Sequence, residues 1–178
     1  MTLADAFAKW GRRSPAERGL FLEAFVLLGV ARLAVLILPF RWLAVSLGRH
    51  MADAGSEVRP GELDRARRVG WAVRAAAGRT PWTSVCLPQA VAAQWMLKRR
   101  HIAGTVYLGV AKRETASRGL AAHAWLRCGD VILTGGVGHA NFTVVSTFSP
   151  KGRTEALPHS SPQGEADAPP HETISRRY

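Results

Sequence analysis

Polar and apolar positions divide this chain into a helical first part and a strand-rich second part. Ser14-Pro15-Ala16-Glu17 offers a hydroxyl N-cap, a proline at the first helical position and a glutamate three residues after the cap, which together predict a helix start. The helix should run to about Leu38, because Pro39 cannot continue it. Between residues 20 and 38 it is apolar nearly all round, broken only by Glu23 and Arg32. All-round apolarity fits a helix covered by its own domain or a partner, and equally one that meets a membrane. Arg32 lies well inside the stretch, where a charge at a bilayer centre costs roughly 2.5 to 3.5 kcal/mol, and this weakens the spanning reading.

A shorter helix over 41–47 should end at Gly48. Residues 52–61 have the turn and breaker composition of a linker, and 62–77 returns to helical spacing through Leu63, Ala66, Val69, Val73 and Ala76. The next helix is predicted to begin close to Cys86, with Thr83 or Ser84 as N-cap and Pro88 in its first turn. It should turn Ala90, Ala93, Met96 and Leu97 inward and stop before Gly104. From there the pattern becomes strand-like over 105–110, 121–127, 131–134 and 142–148, with a hairpin turn at Cys128-Gly129-Asp130. Residues 112–119 read as a polar loop, and the chain beyond Pro150 as a disordered polar tail.

Length limits how these elements assemble. A chain of 178 residues has room for one ordinary core and not for two well-buried ones. The expected organisation is a helical segment and linker at 1–60, a core at 61–150 and a tail at 151–178. Charge narrows the partners only partly: 24 Lys and Arg against 13 Asp and Glu give +11, which attracts nucleic acid, anionic lipid or acidic peptide alike. The basic residues come in short groups such as Arg65-Ala66-Arg67-Arg68, without interleaved aromatics or a base-reading motif, so nucleic acid is not expected. The first nineteen residues hold no apolar signal-peptide run, and two cysteines, Cys86 and Cys128, make no disulfide framework. A reducing cytoplasm is the natural reading, and it leaves Cys86 free to react.

A cysteine in the first turn of a helix meets unpaired backbone N–H groups and the positive end of the helix dipole, both of which stabilise a thiolate. His123, on a strand from another part of the fold, could take its proton. For an arbitrary cysteine and histidine, a small buried thiol and a satisfied core histidine would be the better reading. Here the order of helix, strand and hairpin around them favours chemistry. A zinc site built from Cys86, Cys128, His101, His123 and His139 lacks any C-x₂-C or H-x₃-H spacing and is not expected, nor is any cofactor. Trp125 shares the strand face of His123; it could wall a cleft but is read as core.

From Ala24 to Phe148 the chain resembles the standalone leader peptidases of lasso-peptide biosynthesis. The likeness rests on Leu38-Pro39-Phe40-Arg41, on Cys86-Leu87-Pro88-Gln89-Ala90 leading to Leu97-Lys98-Arg99-Arg100, on Leu108-Gly109-Val110, and on His123-Ala124-Trp125-Leu126 with Gly129 in the turn. It implies an α+β, transglutaminase-like (papain-like) cysteine peptidase core behind an apolar N-terminal helical segment. It also implies a nucleophile at Cys86 and a general base and acid at His123. The implied partners are a lasso precursor, a separate leader-recognition protein and the lasso cyclase; membrane-surface contact through 20–38, and a place in the cytoplasm or at the inner face of its membrane, are expected from the apolar helix and the cysteine usage. One position departs from the family: an acid about twelve residues after the histidine usually orients its ring, and here that position is Gly135. Asp130 is at the hairpin tip, roughly 20 Å along the strand, and is discounted. Thr134, Asn141, Gln89 or a backbone carbonyl could orient the ring, and Gln89 or the Cys86 N–H could serve an oxyanion. A catalytically weak peptide-binding or membrane-associated scaffold, and an acyl transferase, are the alternative functions.

Overall fold

The computed structural model describes residues 14–112 and 119–150. Helix α1 (Pro15–Ile37) starts as its sequence dictates: the Glu17 N–H donates to Ser14 Oγ at 3.2 Å, and the Ser14 N–H donates to the Glu17 carboxylate at 3.1 Å. After Pro39 the chain turns into α2 (Phe40–Leu47), then a two-residue strand β1 (Arg49–His50), α3 (Glu62–Ala77) and α4 (Cys86–Arg99). Strands β2 (Thr105–Lys112), β3 (Leu120–Cys128), β4 (Val131–Thr134) and β5 (Thr143–Ser149) complete it, with a 3₁₀ turn at His139–Asn141 before β5. The strands described form one antiparallel sheet in the order β1-β5-β2-β3-β4.

Alternation along β3 separates two unlike faces. Ala124 and Leu126 lie in one cluster with Val106, Phe148, and Val91, Met96 and Leu97 of α4. That face carries the helices. The opposite face carries Tyr107, His123 and Trp125, with the Tyr107 and Trp125 rings stacked 5.5 Å apart and 4° from parallel. Trp125 is buried as expected, but against this second, aromatic layer.

Residues of 1–60 do not stand apart from 61–150 over their described part, since Phe21, Ala24, Leu28 and Ala31 of α1 join the same core as α3 and α4. Ion pairs fix the packing: Glu23 of α1 meets Arg100 at 2.5 Å and Arg99 at 3.5 Å. Buried Gln94 of α4 donates from Nε2 to Leu47 O at 3.2 Å and Gly104 O at 3.0 Å, tying the end of α2 to the start of β2.

Three expectations change. Residues 52–61 are more than a linker, because Asp53 straps them to the aromatic face: Thr105 Oγ1 donates to Oδ1 at 3.0 Å, the Gly55 N–H donates to it at 2.9 Å, and the Tyr107 hydroxyl donates to Oδ2. Val85, not Thr83 or Ser84, is the N-cap of α4 and provides no side-chain cap; Ser84 Oγ is instead bonded to Thr80 Oγ1 at 2.9 Å. Lys112 belongs to β2. The remainder of the expected 112–119 loop, up to 118, and the tail beyond 150 lie outside the described residues.

Candidate active site

Cys86 is the first residue of α4, half-buried where that helix leaves its approach segment. The direction of α4 follows from its partners: Gln94 and Leu97, near its far end, meet Gly104 and Leu126. On the neighbouring helix, Glu62 lies close enough to Cys128 to act on its thiol, and Arg74 donates to the Leu133 carbonyl further along β4. The chain therefore turns from α3 into α4 at the end of the sheet where His123 stands.

His123 is half-buried on β3, and its Nε2 is 2.8 Å from the Gly135 carbonyl oxygen. A carbonyl only accepts, so Nε2 carries the proton in the neutral ring and Nδ1 keeps the lone pair. Phe142 packs on the ring at 4.9 Å between centroids and Trp125 at 5.9 Å. Gly109, directly across on β2, leaves room for both, because a Cβ there would stand 2.9 Å from each of them.

Gly135 thus reaches His123 through its main chain. A bulge between Leu126 and Arg127 pairs Leu126 with Thr134, one residue out of the register that Arg127–Ile132 and Cys128–Val131 set at the turn. At Gly135 φ is +70°, and a Cβ would lie 2.3 Å from the Ala124 carbonyl oxygen, so this backbone path has no place for an acidic side chain there.

The remaining candidates are placed elsewhere. Thr134 is buried, and its hydroxyl has no partner among the described residues. Asn141 is exposed in the 3₁₀ turn, and Asp130 is exposed at the hairpin tip, where Arg127 Nη2 donates to it at 3.1 Å. Gln89 donates from Nε2 to the Ser84 carbonyl at 2.7 Å and so braces the approach to Cys86. Cys128 is buried, and burial, with the Glu62 charge beside it, pushes its thiol up to about 11. Of the two cysteines, only Cys86 is open to a substrate.

Cys86 and His123 stand at one end of the fold. Cys86 packs against the helical core and the His123 ring against Trp125, and no hydrogen bond joins them. Among the described residues no group of three His, Cys, Asp or Glu side chains could hold a metal ion. His139, weighed from the sequence only as a zinc candidate, joins the aromatic layer instead: its ring lies 5.8 Å from that of Trp125, and its Nδ1 is 2.7 Å from the Gly136 carbonyl oxygen. Its place two to three residues before an apolar run gave no hint of this.

No curated protein and no solved structure matches the chain. The family model described as the transglutaminase-like superfamily matches residues 34–147, from the end of α1 through β5, with Cys86 and His123 inside it. Well over half of the sequence is covered, and the chain belongs to the transglutaminase-like superfamily.

Proposed function

We propose that this chain is a cytoplasmic cysteine peptidase that removes the leader from a ribosomally made lasso-peptide precursor. The superfamily typically includes cysteine proteases and transglutaminases, both of which break an acyl bond through a thiol. The observation that carries the reading is an imidazole fixed through Nε2 to Gly135, with a free Nδ1, at the sheet end from which α4 starts with an accessible cysteine.

In this mechanism Cys86 Sγ attacks the carbonyl carbon of the last leader residue. The thiol proton passes through His123 Nδ1 to the amine of the departing core peptide as the C–N bond breaks. Water, deprotonated by the same nitrogen, then hydrolyses the thioester and frees the leader. Val85 offers no side-chain cap, which leaves first-turn N–H groups of α4 for the developing oxyanion. The reacting state needs Sγ within reach of Nδ1, and such catalytic hydrogen bonds often close only once substrate is bound.

Among the described residues, the N-terminal part up to Leu47 is made of the helices α1 and α2 and offers no free strand edge of a peptide-pairing kind, so a separate leader-recognition protein is expected to deliver the precursor, with the cyclase acting on the freed core. Precursor incubated with this chain, with the recognition protein, and with both is read by mass spectrometry. Fast cleavage is expected only with both. Efficient cleavage by the chain alone would overturn the partner requirement. The glycine at the acid position, which leaves the imidazole bonded to a carbonyl and to no carboxylate, favours a second reading, a peptide-binding scaffold of the same fold. Absence of cleavage even with recognition protein and cyclase present would establish it. Transfer of the acyl group to an added amine, seen in the same spectra, would mark an acyl transferase.

A further inference from the structure

The buried side of α1 is matched by an exposed side that is just as apolar. Leu22, Val26, Leu33 and Ile37 recur at spacings of four, seven and four, which places them on one face of the helix. Ile37 is 73% exposed and Leu33 57%. On α2, which follows α1 after Pro39, Trp42 is 61% and Val45 75% exposed.

Both charges within the apolar part of α1 are used by the fold. Glu23 is paired with Arg99 and Arg100, and Arg32 Nη1 donates to the Thr83 carbonyl at 2.5 Å. The outward stripe is therefore free of charge for about 23 Å, taking Leu22 to Ile37 at 1.5 Å per residue. Contiguous apolar surface of this extent on a folded domain marks an interaction site.

We propose that this face seats the domain on an anionic lipid surface, with α1 lying in the plane of the bilayer interface. By length and hydropathy α1 could cross a membrane. Crossing, however, would withdraw Phe21, Ala24, Leu28 and Ala31 from the core they share with α3 and α4. Lying in the interface keeps that core intact and covers only the outer stripe.

Charge selects the surface. Arg41 is exposed on the same side of α2 as Trp42 and Val45, and Arg49 follows just after that helix. Neither has a carboxylate partner among the described residues. Trp42 beside them has the amphipathic ring that gathers at membrane–water boundaries. A second copy of the chain is a poorer occupant, because each copy carries +11. The inference does not depend on the chemistry at Cys86. It does bear on access to that residue, since Leu33 and Leu36 share an apolar cleft of about 230 Å³ with Trp82, four residues before the cysteine.

Flotation of the purified full chain with phosphatidylcholine vesicles, with and without phosphatidylglycerol, tests the proposal. The chain should float with the anionic vesicles and more weakly with the neutral ones. Arg41→Gln with Arg49→Gln should lower affinity for anionic vesicles by roughly tenfold to thirtyfold. Leu33→Glu with Ile37→Glu should abolish binding to both vesicle types while leaving circular dichroism and melting unchanged, because both side chains are exposed. Absence of flotation, or binding that none of these substitutions alters, would overturn the proposal. A concentration-dependent dimer in sedimentation velocity, lost with Leu33→Glu and Ile37→Glu while vesicles stay unbound, would assign the face to self-association instead.

Discussion

At the scale of single residues, the two cysteines separate by environment. Cys128 is buried with its thiol raised to about 11, and Cys86 is half-buried at a helix start. Native protein should show one thiol reactive to iodoacetamide, mapped by peptide mass spectrometry to Cys86, and a second only after denaturation. Equal labelling of both in the native state would contradict the burial of Cys128. For His123, Gly135 supplies its carbonyl where the family pattern has a carboxylate. Gly135→Asp is therefore expected to lose stability by about 1–3 kcal/mol, through a positive φ and a Cβ placed on the Ala124 carbonyl, and not to gain a triad. Urea unfolding and a cleavage assay of that variant check both halves. Asp130→Asn should keep most activity, since Asp130 is engaged with Arg127 at the hairpin tip; a loss of more than about 10³-fold in cleavage, the scale of neutralising a triad acid, would contradict this. Cys86 and His123 could be read from sequence as residue types at a helix start and on a strand. That the ring is held by a main-chain oxygen could be read only as one option among several, because a carbonyl has no letter in a sequence.

At the scale of elements, the helices were the legible part. The capping box of α1, the proline after it and the heptad-like spacing of α3 each carry a local physical signal, and the elements begin and end within a residue or two of those marks. What escaped has no local signal. β1 is two residues long, too short for periodicity. The β3–β4 bulge is a matter of pairing and not of composition. The start of α4 near Cys86 was legible, but its N-cap is Val85 and not Thr83 or Ser84, because Thr80, four residues before Ser84, takes the Ser84 hydroxyl into the preceding turn. The strap at Asp53 is likewise tertiary. Burial alone would raise the Asp53 carboxyl, but hydrogen bonds from Tyr107, the Gly55 N–H and Thr105, with the Arg127 charge, hold it below the ordinary carboxylate range. Tyr107, pushed up to about 12 by burial and by Asp53, stays protonated to donate. A carboxylate lowered in the folded state stabilises the protein above its unfolded-state pKa, and that stability is lost as pH falls through the folded value. Asp53→Asn should thus be less stable by about 1–3 kcal/mol at neutral pH and should lose less on acidification. Parallel melting curves of wild type and variant across acidic pH measure this; equal acid sensitivity would remove Asp53 from the account.

At the scale of the whole molecule, α1 and α2 are part of the domain that holds the candidate site, and one core runs from Phe21 to Phe148. Sequence divided the chain at residue 60 because composition changes there, whereas packing does not. Sequence reading expected Cys86 and His123 in one cleft; in the fold they stand at one end of the sheet, with the His123 ring against Trp125 and bonded to the Gly135 carbonyl oxygen. The proposed activity depends on that pair meeting when the precursor is delivered. The direct measurement is intact mass spectrometry of the chain, acid-quenched during turnover with lasso precursor and recognition protein. Wild type should carry the leader as a thioester on Cys86, His123→Ala should accumulate little or none, and Cys86→Ala should carry none and cleave nothing. Cleavage retained in Cys86→Ala, or an adduct mapped to any other residue, would contradict the account.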